Sequence, residues 1–179
     1  MRNIFVINGS ASENSSNQKI INNLIQLNKE SFKYIIYNDL KYLPHFDPER
    51  SIINTPKEIV EFRKYIENAD GILFCTPEYI FSIPSGLKNV LEWCVSTTVF
   101  SEKPIGIITA SANGEKGHEE LQLIMKTLMT NFNPETTLLI SGVKGKVNTS
   151  GEINDEKTII KLKEFSESFN KLVKYNSTD

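Results

Sequence analysis

Cysteine, histidine and surplus charge of either sign are all scarce in this 179-residue sequence. The two cysteines, Cys75 and Cys94, sit in apolar runs at no metal-ligand spacing. They are expected as buried free thiols, with neither a disulfide framework nor a zinc site. Twenty Lys and Arg against twenty-two Asp and Glu leave a formal charge of −2. That balance offers no basic field for phosphodiester backbones, so nucleic acid is not an expected partner. The longest apolar stretches, Gly71 to Cys75 and Ile105 to Ile108, fall far short of the ~20 residues that span a bilayer, which argues against membrane insertion. Behind Met1 and Arg2 a short apolar run ends at Asn8 and Gly9, without the h-region or cleavage site of a secretory signal, so a cytoplasmic address is expected.

Several catalytic signatures are also missing. Neither G-x-G-x-x-G nor G-x-x-x-x-G-K-S/T occurs, so a dinucleotide fingerprint and a P-loop are both unsupported. A signalling receiver needs carboxylates where Asn8, Gly9 and Ser10 stand. A cysteine phosphatase built on Cys75 needs Arg where Phe81 stands, and a hydrolase using Ser10 finds no histidine base in the last 60 residues.

Apolar types make up 39% of the chain, about 70 side chains, enough for one core, and residues 1–179 are expected to form a single domain. Five β-rich runs, Ile4 to Ile7, Phe32 to Tyr37, Gly71 to Cys75, Ile105 to Thr109 and Thr136 to Ile140, read as strands buried on both faces. Between them apolar residues recur at helical spacing: Ile20, Leu24, Leu27; Ile59, Phe62, Ile66; Leu87, Leu91, Cys94; Leu121, Ile124, Leu128, Phe132. A last stripe of Ile159, Leu162, Phe165, Phe169 and Leu172 follows Asn154, the expected N-cap. Strict alternation demands parallel pairing through right-handed crossovers, giving an α/β fold, a three-layer α/β/α sandwich. The expected strand order is 2-1-3-4-5, with a ligand crevice at the carboxyl ends where the winding reverses.

Three loops must share that edge. After the first strand, Gly9 to Asn17 is dominated by hydroxyls and amides and runs into a helix N-terminus, a setting that suits a phosphate as well as an ordinary capped loop. After the third, prolines Pro77 and Pro84 bracket Glu78, Tyr79, Ile80 and Phe81. The aromatics suit a platform for a planar ring, or else plug the sheet end or a subunit interface. After the fourth, Ser111 and Asn113 offer donors beside Gly114 and Gly117. Placed together, the three loops suit a phosphorylated planar cofactor.

Here the sequence resembles the NADPH-dependent FMN reductase family of flavodoxin-like proteins, over roughly residues 2 to 145. The family's P-E-Y-N-x-S-x-P-x-x-L-K-N-x-x-D/E-W is met by Pro77, Glu78, Tyr79, Ser82, Pro84, Leu87, Lys88, Asn89, Glu92 and Trp93. Its phosphate loop is met by Gly9, Ser10, Ser15 and Asn17, and its pattern after the fourth strand by Ser111 and Gly114. The resemblance implies bound FMN, NADPH or NADH as co-substrate, and a small electron acceptor such as a quinone, azo compound or metal oxyanion. By the same resemblance, Ser10, Ser12, Ser15, Ser16 and Asn17 would hold the phosphate. Pro77, Glu78, Tyr79 and Ile80 would line the isoalloxazine, and Ser111 and Gly114 would approach its polar edge. No catalytic side chain is named, because the cofactor carries the chemistry. The alternative is an electron carrier of the same fold that does not itself oxidise nicotinamide.

Two departures stand out. The family's phosphate-binding Arg is Ser12 here, leaving no cation between Gly9 and Gln18, and Ile80 replaces the usual Asn. The resemblance further implies a homodimer or dimer of dimers, expected through the helix carrying Leu87, Leu91, Trp93 and Val95. The connector Asp39 to Thr55 would either reach a neighbour's flavin or lie on its own chain.

Overall fold

The computed structural model describes residues 1–176, so the last three residues of the expected 1–179 unit lie outside the description. The alternation is realised as β1 (Arg2–Asn8), α1 (Ser16–Asn28), β2 (Phe32–Tyr37), α2 (Lys57–Glu67), β3 (Gly71–Thr76), α3 (Ser85–Cys94), β4 (Ile105–Ser111), α4 (Glu115–Thr127), β5 (Thr137–Ser141) and α5 (Glu156–Tyr175). All neighbouring strands are parallel, in the order β2-β1-β3-β4-β5, with Ile7 facing Phe74 and Phe74 facing Ile107 across the centre. The expected sheet order is the observed one. One apolar cluster joins Phe5, Ile7, Phe74 and Ile107 to α2, α3 and α4, and the other joins Ile4, Val6, Cys75 and Ile108 to α1 and α5. Alternate residues along each central strand thus feed opposite layers, the period-2 geometry of a sheet covered on both faces.

Only β3 and β4 are buried throughout, and β1 is buried from Ile4 onward. The edge strands β2 and β5 are half exposed, because a strand at the sheet margin has one neighbour fewer, so burial on both faces fails for these two. β5 starts one residue later than expected, since Thr136 is held in a short turn by the Asn133 side chain, which accepts its N–H at 3.1 Å. The N-cap of α5 is Asp155, not Asn154: its carboxylate accepts from Thr158 N, and hydrogen bonds hold its side chain below the usual carboxylate range. On α1, Ile21 takes the buried position expected of Leu27, which is exposed near the helix end.

α3 buries Leu87, Leu91 and Trp93 almost completely against its own sheet, leaving only Val95 of the expected interface residues exposed. These side chains form core, so they are not available to a second copy. The connector lies on its own chain: Pro44 O accepts from Asn89 Nδ2 and Trp93 Nε1, and Phe46 meets the Trp93 ring edge-on. Both cysteines are buried free thiols, and burial raises both, that of Cys94 up to about 12. Among the described residues no helix is long and apolar enough to cross a membrane.

Candidate functional site

The strand ends converge on one large cleft of about 830 Å³, inside the range of roughly 300–1,000 Å³ usual for small-molecule sites. Its first wall is the β1–α1 loop. Gly9 leads into it because the chain passes directly against β3: a Cβ at Gly9 would lie 2.2 Å from Thr76 Oγ1, closer than any side chain tolerates. Gly9 N donates to Cys75 O, and Ser10 N to Asn8 Oδ1, so the loop leaves the strand on fixed bonds. Ser10 Oγ then accepts from Ser12 N, and Ser15 Oγ caps α1 by accepting from Gln18 N. Asn17 is committed too, donating to Ala110 O at 3.1 Å while its Oδ1 accepts from the Cys75 thiol. The hydroxyls of Ser12 and Ser16 make no hydrogen bond with the described residues, and the N–H groups of Ser16 and Asn17 open a helix without intrahelical acceptors. Free donors at the positive end of a helix suit an anion.

The opposite wall is a tight hairpin after β3. Tyr79 and Ser82 exchange both backbone hydrogen bonds, and the two residues between them, Ile80 and Phe81, have φ of +50° and +58°. This is the mirror-image turn that normally takes Asn and Gly. Two carboxylates from different elements hold it. Glu78 accepts from Gly114 N at 3.1 Å and Gly117 N at 2.8 Å, capping α4 from outside its own segment. Glu120 on α4 accepts from Ser82 Oγ at 2.6 Å and Ile83 N at 2.9 Å. Ser111 Oγ accepts from Glu78 N, so its hydroxyl fastens the hairpin to β4 and is not the free donor the loop reading expected.

Of the residues singled out in sequence, Ser10, Ser12, Ser15, Ser16, Asn17, Pro77, Glu78, Tyr79 and Ser111 line this cleft. Ile80 and Gly114 do not. Ile80 rides the hairpin tip at 95% exposure, and Gly114 is turned toward Glu78 beneath the wall. The sequence reading missed a fourth wall, Gly142 to Gly145 after β5, together with Asn14, Ala110 and Ala112. The glycine pair around Val143 and Lys144, right after a strand on the same edge, was the available signal.

His118 of α4 lies outside the cleft lining and shares a 2.8 Å hydrogen bond between Nδ1 and Thr109 Oγ1. Burial lowers its pKa from the usual imidazole value. Among the described residues no group of three or more His, Cys, Asp or Glu is arranged to hold a metal.

The donor set fits a flavin mononucleotide: a hydroxyl-rich helix start for a phosphate, a proline and tyrosine wall for a ring, and strand-end backbone between them. Comparison with known proteins agrees. Residues 2–143 match the model of the NADPH-dependent FMN reductase family. An NADPH:quinone oxidoreductase of Arabidopsis thaliana is 32% identical over 169 residues, covering 90% of this chain and 86% of that one. The NADH:(hydroxy)cinnamate reductase subunit CrdA of Vibrio ruber is 28% identical over 174 residues, covering 93% and 85%. In fold, the chain is similar to FerB, a flavoenzyme NAD(P)H:(acceptor) oxidoreductase of Paracoccus denitrificans, with a TM-score of 0.81, 21% identity and coverage of 98% and 99%.

Proposed function

The chain belongs to the NADPH-dependent FMN reductase family, and from that premise we propose that its switch-point cleft holds FMN and couples NADPH or NADH oxidation to a small acceptor, a quinone first among them. When bound, FMN supplies the chemistry, a two-electron exchange between nicotinamide and acceptor. The residues do the rest. Ser12 and Ser16 hydroxyls and the opening N–H groups of α1 receive the phosphate, while Ser10, Ser15 and Asn17 hold that loop in shape. Pro77, Glu78 and Tyr79 form the ring's wall, and Ser111 ties that wall to β4. Tyr79, nearly half exposed at the rim, leaves room above the ring for nicotinamide and acceptor in turn.

The observation that carries this reading is the arrival of hydroxyls, an aromatic wall and backbone groups from the ends of four strands, β1, β3, β4 and β5, at one cleft. Residues 1–179 act as one domain. Two buried free thiols suit a reducing, cytoplasmic setting. A homodimer is also part of the proposal, supported by the exposed apolar side chains Ile80, Phe81 and Val95. Light scattering on eluted protein reads that state directly.

Adding NADPH or NADH anaerobically to FMN-loaded protein should bleach the flavin absorbance without any partner reductase. Retained colour would sink the enzyme reading in favour of an electron carrier.

A further inference from the structure

Every side chain that the first loop offers to an anion is uncharged, yet among the described residues the cleft is lined by one cation, Lys144, which comes from the loop after β5. Its position follows from the backbone. Gly142 adopts φ +66°, open to glycine at no steric cost, and its N–H donates to Ala112 O at 3.0 Å. The next residue, Val143, is buried at 4% exposure in the cluster under α1 and α5, which pins the turn and directs Lys144 outward. The start of α1 hangs on the same strand end, because Asn17 donates to Ala110 O two residues away. The hydroxyls of α1 and the Lys144 turn are therefore fixed to one three-residue segment, Ala110 to Ala112.

Neighbouring lysines are occupied. Lys41, near the far side of the first loop, lies 3.6 Å from Glu13 and over the Tyr42 ring, and Lys19 donates to Asn148 O. Lys144 has no hydrogen bond or ion pair with any described residue.

We propose that Lys144 is the phosphate-binding cation of this chain, supplied from the fifth strand in place of the arginine that Ser12 displaces from the first loop. The proposal rests on the assignment of the cleft to FMN and adds a residue that offsets one of the two charges of its terminal phosphate. A charge-assisted contact of this kind changes affinity by roughly tenfold to a hundredfold. It also makes binding weaken with added salt.

Riboflavin lacks the phosphate and separates the two ideas. Fluorescence quenching titrations of the full chain with FMN and with riboflavin, in low and high salt, should be run on the wild type, Lys144→Met and Lys144→Arg. The expected result is a tenfold or greater loss of FMN affinity in Lys144→Met, with riboflavin affinity unchanged, the salt dependence flattened, and most affinity kept in Lys144→Arg. An unchanged FMN-to-riboflavin ratio overturns the proposal, whether both affinities hold or both fall. If that ratio holds while the preference between NADPH and NADH shifts, the lysine serves the nicotinamide instead and the proposal is again overturned. A wild-type chain that binds neither flavin overturns the cofactor assignment itself, and this proposal with it.

Discussion

The first loop and the β3 hairpin face each other across the cleft, and they are held in place by different physics. Within the first loop the bonds are neutral and close in sequence, Asn8 to Ser10, Ser10 to Ser12 and Ser15 to Gln18, and its two ends are tied to the sheet by neutral groups, Gly9 N to Cys75 O and Asn17 to Ala110 O. The hairpin is held by carboxylates whose partners lie some three dozen residues away, Glu78 on the start of α4 and Glu120 on the hairpin base. It pays for this with two non-glycine residues at positive φ. The loop side chains that line the cleft are uncharged, and the loop's one carboxylate, Glu13, is paired with Lys41 outside that lining, so the cleft side can receive an anion without repelling it. A wall that must stay fixed beneath a bulky ring needs longer-range anchors, which charged acceptors provide at about twice the strength of neutral ones.

Substituting Gly9→Ala should break the first wall most severely. The added methyl meets Thr76 Oγ1 and Cβ at 2.2 and 2.6 Å, both on a central strand, so the loop must move. Urea denaturation should show a loss of about 3 kcal/mol, and flavin titration a cleft that no longer binds FMN. A variant as stable and as retentive as wild type would mean that the close approach to β3 is dispensable.

The hairpin should respond next. Glu78→Ala leaves the N–H groups of Gly114 and Gly117 without their acceptor and should cost about 2 kcal/mol. The thermal midpoint and FMN affinity should fall together, and Glu78→Gln should recover part of each. Loss of affinity without loss of stability would place the carboxylate on the ligand rather than on α4.

Relieving the turn works in the opposite direction. Ile80→Asn with Phe81→Gly supplies the residues a mirror-image turn prefers, and should raise stability by about 1 kcal/mol. A fall instead, accompanied by a smaller mass in light scattering, would show that the exposed tip is buried against a second copy.

The smallest effect lies outside the cleft, at His118. Because burial lowers the His118 pKa, the unfolded chain binds the proton more readily than the folded one. The neutral imidazole therefore contributes stability that is complete above the ordinary histidine value and is lost as pH falls through the lowered one. The fall of the thermal midpoint from pH 7 to pH 5 should be less steep in His118→Gln than in wild type. Parallel curves would remove His118 from the acid response.

Much of the frame was legible before any coordinates. The parallel order of strands and the placing of three loops at one edge followed from runs such as Gly71 to Cys75 and from helical stripes such as Ile59, Phe62 and Ile66. Such patterns record burial that every fold of this class imposes residue by residue. Less of the site was legible. Ser111 reads as a free donor until the hairpin is seen to bind it, and Ile80 reads as a wall residue until the turn lifts it into solvent. Leu87, Leu91 and Trp93 read equally well as an interface or as a core, because periodicity marks an apolar face without saying what covers it.

What the amino-acid order determined by itself was local: which segments extend, which coil, and hence the edge at which ligand loops must gather. The tertiary structure decided which loop side chains are already spent on one another and which remain free. It did so because those pairings, Glu78 with Gly117 or Asn17 with Ala110, join residues separated by several elements and exist only once the sheet has brought its strand ends together. The same closure carries Lys144 from the far side of the sheet to a cleft whose first loop contains no cation.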